Sequence, residues 1–285
     1  MNNDNARLLL AIFLVSIFIQ GCATKVPVTK TKIEKIVEFK LNTKDSTPLV
    51  QKGLAIAIKP IHGKDIEQYP QFTASLNYSG TEIQRVYSAK YRQNIDQNVP
   101  YSGNFNIPLF PLPAFEVSIT NNTSHVIKFS NAVLTLEDSN GNLYDVLSKQ
   151  DLPSYLQETI RVNLTKRKIP QDAMIANRDQ LNADQRQVKL IDKNFTVLPG
   201  RTTKGYLAFN FGRYTTEDFD TFAFTQQNLK VQLYELPIKV DNAANVLETT
   251  SFSLIFNIGV HEKQVEYTEY EWQATPMSQS FPMLK

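Results

Sequence analysis

Alternation of apolar and polar residues with a period of two constrains this chain more than any other feature. Phe115-Glu116-Val117-Ser118-Ile119-Thr120 places an apolar side chain at every second position, and Leu54–Ile61 and Phe252–Ile258 are further strand candidates. Successive side chains of a strand point to opposite faces, so such runs suit strands rather than helices. Further candidates are Ala74–Tyr78, Ile83–Tyr91, Val126–Phe129, Val133–Leu136, Leu143–Leu147, Phe195–Leu198, Gly205–Phe211 and Leu229–Tyr234. Turn signals separate them: Pro60, Asn121-Asn122-Thr123-Ser124, Pro199-Gly200, and Asn140-Gly141. The last lies between two apolar runs, and both of its residues tolerate the positive φ of a type I′ hairpin turn.

Between Asp151 and Asp192 the period changes. Leu152, Tyr155, Leu156, Thr159, Ile160 and Leu164 recur at three and four residues, which predicts an amphipathic helix from near Pro153. A sparser stripe of Met174, Ile175, Leu181 and Val188 predicts a second helix from Pro170. Segment 151–192 is therefore expected to be a helical insertion packed on the sheet. It would interrupt a main β domain over 113–260, preceded by an N-terminal β region over 48–112 and followed by a tail over 261–285. Val265, Tyr267, Tyr270 and Trp272 make that tail either a last strand or a docking segment.

Composition narrows the function classes. Lys+Arg number 30 and Asp+Glu 28, a net charge of +2, and 42% of residues are hydrophobic. That balance excludes intrinsic disorder and argues against a general polyanion binder, so nucleic acid is not an expected partner. A single cysteine excludes an intramolecular disulfide, a cysteine-based zinc site and an iron–sulfur cluster. His62, His125 and His261 lie far apart, each read as a surface or strand-end histidine without a second ligand at metal spacing. The chain has no Gly-x-Ser-x-Gly elbow and no phosphate-binding glycine loop. Asp138-Ser139-Asn140-Gly141 fails as a calcium loop, because Leu143 and Lys149 stand where its glycine and bidentate glutamate are needed. No catalytic residue, metal ligand or cofactor is assigned. Dispersed Ser-His-Asp sets or carboxylate pairs leave no mark in sequence.

The single cysteine sits in an informative place. A short polar segment ending in Arg7 precedes the apolar run Leu8–Ile19, which has the length of a signal-peptide core and is too short to span a bilayer. Ile19-Gln20-Gly21-Cys22 follows and resembles the lipobox of bacterial lipoproteins, although that family usually has leucine first and a small residue second. The resemblance implies cleavage between Gly21 and Cys22, removal of residues 1–21, and acylation of Cys22. Ala23 after the cysteine, where an aspartate would signal inner-membrane retention, implies an outer-membrane address facing the periplasm. Residues 22–47, rich in lysine and threonine, then read as a tether, while Ile33, Ile36, Val37 and Phe39 leave an edge strand as the alternative.

A second resemblance concerns the fold. The strand running into Asn121-Asn122-Thr123, then Asp138 with Gly141 and Tyr144, and Leu198-Pro199-Gly200 before Gly205–Phe209 resemble the telokin-like, immunoglobulin-like domains of bacterial lipoproteins and secreted antigens. The likeness covers about residues 113–260. It implies a mainly β fold, an immunoglobulin-like β-sandwich with a short helical insertion behind a cleaved lipoprotein signal peptide. It carries no catalytic residues, because such domains bind or scaffold.

Two segments are candidate binding surfaces. Ile107, Leu109, Phe110 and Leu112 alternate with prolines and form a rigid apolar patch if exposed, or seal one end of the core if not. Arg161, Lys166, Arg167, Lys168, Arg178, Arg186, Lys189 and Lys193 make the insertion locally basic, as a solvated face or as a contact for an acidic partner. The expected function is a non-enzymatic interaction or assembly module, anchored in the outer membrane through Cys22 and meeting a protein partner in the envelope. The alternatives are a hydrolase of cell-wall or surface polymers using dispersed carboxylates, and a carrier of small ligands in an internal cavity.

Overall fold

In the computed structural model, which describes residues 23–42, 48–88, 90–241, 243 and 245–274, the alternating runs pair as antiparallel sheets and the protein is mainly β. The strands are β1 (Ala23–Leu41), β2 (Leu49–Gln51), β3 (Leu54–Ile61), β4 (Thr73–Ser88), β5 (Gln93–Pro108), β6 (Ala114–Asn121) and β7 (Ile127–Lys128). They continue as β8 (Val133–Asp138), β9 (Leu143–Asp145), β10 (Met174–Ile175), β11 (Thr196–Val197), β12 (Arg201–Leu207), β13 (Asn228–Val240) and β14 (Val246–Ala274). The helices are α1 (Leu152–Lys166), α2 (Arg178–Gln187) and α3 (Thr216–Ala223). No described helix is long and apolar enough to cross a membrane.

Residues 36–261 form one unit. Within it a sheet of order β12-β6-β3-β2 and a sheet containing β14-β13-β8-β9 bury their alternate side chains in a common core. Leu54, Ile56 and Ile58 of β3 and Phe115, Val117 and Ile119 of β6 enter from the first sheet. Leu134 and Leu136 of β8, Leu229, Val231 and Leu233 of β13, and Phe252, Leu254 and Phe256 of β14 enter from the second. Phe115 and Phe256 meet across the layer with ring centroids 5.3 Å apart. The boundary expected at residue 112 does not separate strands, because β3 pairs along its whole length with β6, from Leu54↔Asn121 to Ile61↔Ala114.

A second core lies on the other side of β3, β6 and the end of β12. Ile61, Ala114 and Ala208 face it, next to Phe115 and Leu207, which face the first core. Phe72, Leu76, Ile107, Leu109, Phe110 and Leu112 join it with the apolar stripe of α1. The predicted α1 residues Leu152, Tyr155, Leu156, Thr159, Ile160 and Leu164 are all buried. The second predicted helix starts later than Pro170: Met174 and Ile175 instead pair with β4, and α2 begins at Arg178. Asn177 causes the switch, accepting from Asn77 N–H at 2.9 Å and donating to Ser75 O at 2.6 Å, which extends the strand-like contact to the helix start.

The described residues of a second unit are 23–35 and 262–274, an antiparallel ribbon of β1 and β14. Lys30 Nζ lies 2.8 Å from Glu269 and 2.5 Å from Glu271, and the Lys32 ammonium lies 5.8 Å from the Tyr267 ring centroid. Over Ala23–Leu41 the tether reading of residues 22–47 gives way to its edge-strand alternative, which reaches back past Ile33 to Ala23, and of the two readings of the tail beyond 261 the strand is found as far as Ala274. Residues 1–21, with Gly21 and the lipidation candidate Cys22, lie outside the described residues.

Candidate functional site

β4 and β5 form a hairpin arm. β4 and β5 hold one register from Thr73↔Pro108 to Ser88↔Gln93. At its base the arm is covered: Leu76 is fully buried, and the Arg167 guanidinium lies 4.3 Å from the Phe105 ring centroid. β10 pairs with β4 only at Tyr78 and Ser79, and among the described residues no strand joins the arm beyond that point.

Cross-strand register sorts the outer arm into two faces. Gly80↔Tyr101, Glu82↔Val99, Gln84↔Gln97 and Val86↔Ile95 share one face, and Thr81↔Pro100, Ile83↔Asn98 and Arg85↔Asp96 share the other. The first carries most of the apolar groups, and Val86 is 38% exposed. Two reciprocal pairs mark where cover ends. The Tyr101 ring lies over Gly80 and the Tyr78 ring over Gly103, so a Cβ at either glycine would collide with the facing tyrosine. Beside them Ser79, Gly80, Thr81, Pro100, Tyr101, Ser102 and Met174 line an open depression of about 540 Å³. Met174 is 64% exposed there.

A second depression gathers carboxylates. Asp145, Asp151 and Asp192 line a groove of about 540 Å³ with Ser148, Gln150 and Lys193. Asp145 and Asp151 also line its neighbour of about 330 Å³, with Tyr155 and Tyr214. Two of the three acids hold local backbone. Asp192, buried, accepts from Asn194 N–H at 2.8 Å and Lys149 N–H at 3.3 Å, and Asp151 accepts from Ser148 N–H at 3.0 Å. Among the described residues no group of three histidine, cysteine or acidic side chains could hold a metal ion.

The apolar candidates Ile107, Leu109, Phe110 and Leu112 are not on the surface. All are at most 5% exposed, in the second core, and Gln185 Nε2 donates to Leu109 O at 2.8 Å. Of the two readings, exposed patch and seal on the core, the patch is thus corrected and the seal is found, because the prolines carry the chain across the base of the arm, where α1 and α2 cover it. The basic run is likewise dispersed: Arg161 pairs with Glu158, Lys166 with Asp218 at 2.5 Å, and Lys189 lies over Phe195. His62 ends β3 as expected but is buried, its Nε2 2.7 Å from Asp220 Oδ1 between the rings of Phe39 and Phe219. His261 pairs on the surface with Glu38 at 2.7 Å.

One further cluster lies on the outer side of the first sheet. The Tyr69 hydroxyl bonds to Glu116, and Lys204 and Gln71 approach Glu116 and Tyr206. Burial and then the Glu116 carboxylate push the Tyr69 hydroxyl well above the usual phenol range, so it is a donor at any physiological pH. Sequence reading missed the outer arm as a surface. The available signal was the matched spacing of Tyr78 and Gly80 with Tyr101 and Gly103, although 93–108 does not read as a strand in sequence. Comparison with protein-family models, curated proteins and solved structures found no match.

Proposed function

We propose that this chain is a non-enzymatic envelope lipoprotein, an immunoglobulin-like β-sandwich held at the outer membrane through Cys22, that serves as an interaction or assembly module. The observation that carries the reading is the outer β4–β5 arm, a hairpin whose more apolar face extends beyond Ser79, where no strand of the described residues joins it. An isolated two-stranded hairpin is marginal in water and gains stability from a third strand or a packed surface. Tyr101, Val99, Ile95 and Val86 offer that surface to a partner, and the sandwich and its helical insertion hold the base of the arm rigid. The shared core of two antiparallel sheets supports the sandwich reading, and the lipobox-like Ile19–Cys22 supports the address.

The test places a photo-crosslinking residue at Val86, Ile95 or Asn98 of the full chain in intact envelopes. Adducts from Val86 and Ile95, and few from Asn98 on the opposite face, are expected; equal yields from all three would overturn the role given to the apolar face. In parallel, Cys22→Ser should leave the chain unprocessed or release it from membranes, and unchanged fractionation would remove the anchor.

A hydrolase is the second reading, favoured by the groove that collects Asp145, Asp151 and Asp192. The bonds that Asp151 and Asp192 make to backbone give two of these acids a structural task, which ranks this reading second. Cleavage of a cell-wall polymer that disappears in Asp145→Asn would reverse the ranking.

A further inference from the structure

We propose that the ribbon of residues 23–35 and 262–274 is a lateral assembly surface for further copies of this chain. The β1 edge of one copy pairs with the β14 edge of the next. This deepens, and rests on, the assembly-module reading by naming the partner as a second copy.

The two strands of the ribbon carry opposite charge. The β1 segment holds Lys25, Lys30, Lys32 and Lys35 against Glu34 alone, a net +3, and the β14 segment holds Glu262, Glu266, Glu269 and Glu271 against Lys263 alone, a net −3. β1 is the terminal strand of its sheet, and the pairing of β14 with β13 ends at Asn257. Across 262–274, therefore, each strand has one edge with no strand beside it among the described residues. Such edges are templates for pairing with another chain.

Charge decides which pairing is allowed. A β1–β1 contact sets lysine strands side by side, and a β14–β14 contact sets glutamate strands side by side, both repulsive. A β1–β14 contact between copies repeats what the ribbon already does internally, where Lys30 is held by Glu269 and Glu271 and Lys32 lies over Tyr267. It also continues the antiparallel order. The lysines that discourage self-pairing of β1 thus select the acidic partner strand. A contact between two different edges is head-to-tail, and closes as a ring or runs on as a filament.

The address favours closure in a plane. Cys22 directly precedes Ala23, so lipidated copies present their ribbons in one orientation at one surface and at raised effective concentration. Lys30 and Lys32 on one set of alternate positions and Lys25 and Lys35 on the other charge both faces of β1, so the assembled strands stand in water rather than facing lipid.

The experiment uses the full chain in mild detergent, with mass measured by light scattering and sedimentation at low and high salt. An oligomer is expected at low ionic strength, falling to the protomer at about 1 M salt, where screening acts within about 3 Å. K32E/K35E and E262K/E266K, which spare the Lys30 ion pairs, should each run at protomer mass with the melting midpoint of the unit of residues 36–261 unchanged. An equimolar mixture of the two should recover the oligomer, since each supplies the edge that the other has reversed. A wild-type protomer at low salt, or variants that both keep the oligomer mass, overturns the proposal. A wild-type protomer whose arm still forms its crosslinks overturns the ribbon contact alone, whereas an oligomer without arm crosslinks leaves the ribbon contact standing and removes the arm.

Discussion

Asp138 shows how one carboxylate sets a turn. Its oxygens accept from Asn140 N–H at 2.8 Å, Asn142 N–H at 2.9 Å, the Asn142 amide at 2.8 Å and the Tyr144 hydroxyl at 3.0 Å. Asn140-Gly141 reads in sequence as a type I′ turn, yet only Gly141 takes positive φ, at 82°, and Gly141 N–H bonds back to Asp138 O. The hairpin was legible and its turn type was not, because the acid captures the N–H groups that would otherwise leave the turn open. Asn121 repeats the lesson. It reads as a turn residue, but it is fully buried and bonds His125 O, Val197 O and both polar groups of Thr123. Burial raises the Asp138 pKa, and the donors from Asn142, Asn140 and Tyr144 outweigh it, so the net shift is downward. A depressed carboxylate stabilises the fold above its unfolded pKa and loses that contribution as pH falls through the folded value. Asp138→Asn should therefore cost about 1–2 kcal/mol at neutral pH, with the gap to wild type narrowing below about pH 4. Urea unfolding across that range is the measurement, and a gap that stays constant into acid would show that the turn does not use the charge.

The elements differ in how plainly the sequence announces them. α1 was legible in its buried stripe, because one stripe meets one core and the period has nothing to compete with. α3 was missed, although Thr215-Thr216-Glu217-Asp218 before Phe219 is a capping pattern, and the Thr215 hydroxyl does accept from Asp218 N–H at 3.2 Å. The arm was legible in part, Ala74–Tyr78 and Ile83–Tyr91 marking β4 while β5 went unread, for a physical reason. Its outer half buries neither face, so alternation is relaxed, and Ile83 stands 69% exposed on the more polar side. What holds that half in register is cross-strand contact, above all the tyrosine–glycine pairs. A Cβ at Gly103 would come within 2.5 Å of Tyr78 Oη and 2.8 Å of its Cζ. Gly103→Ala should displace that ring and weaken the outer arm by about 1 kcal/mol, roughly fivefold faster amide exchange from Gly80 outward. Exchange in β3 and β6 should be unchanged. Loss of protection in both regions together would mean that the arm is not a separate opening unit.

At the scale of residues 36–261, the two cores are not two domains. They share strands: Ile58 and Ile61 of β3 face different cores, as do Ala114 and Phe115 of β6, and Leu207 and Ala208 at the end of β12. This sharing explains why strand pairing runs across residue 112, and why Ile107–Pro113, open in sequence between a patch and a seal on the core, is the seal. Where a sheet is buried on both faces, alternation gives way to a continuous apolar run, and the same run describes a buried crossing or an exposed patch equally well. A shared sheet also couples the cores energetically, because neither can open without exposing the back of the other. Phe110 and Phe256 are each fully buried, one in the second core and one in the first. Phe110→Ala and Phe256→Ala should each lower stability by about 3–5 kcal/mol. Both should shift a single chemical unfolding transition of unchanged slope, whether followed by tyrosine fluorescence or by far-UV circular dichroism. If Phe110→Ala split the curve, with the helical signal lost before the β signal, the helical insertion would be an independent folding unit and the coupling through β3 and β6 would be refuted.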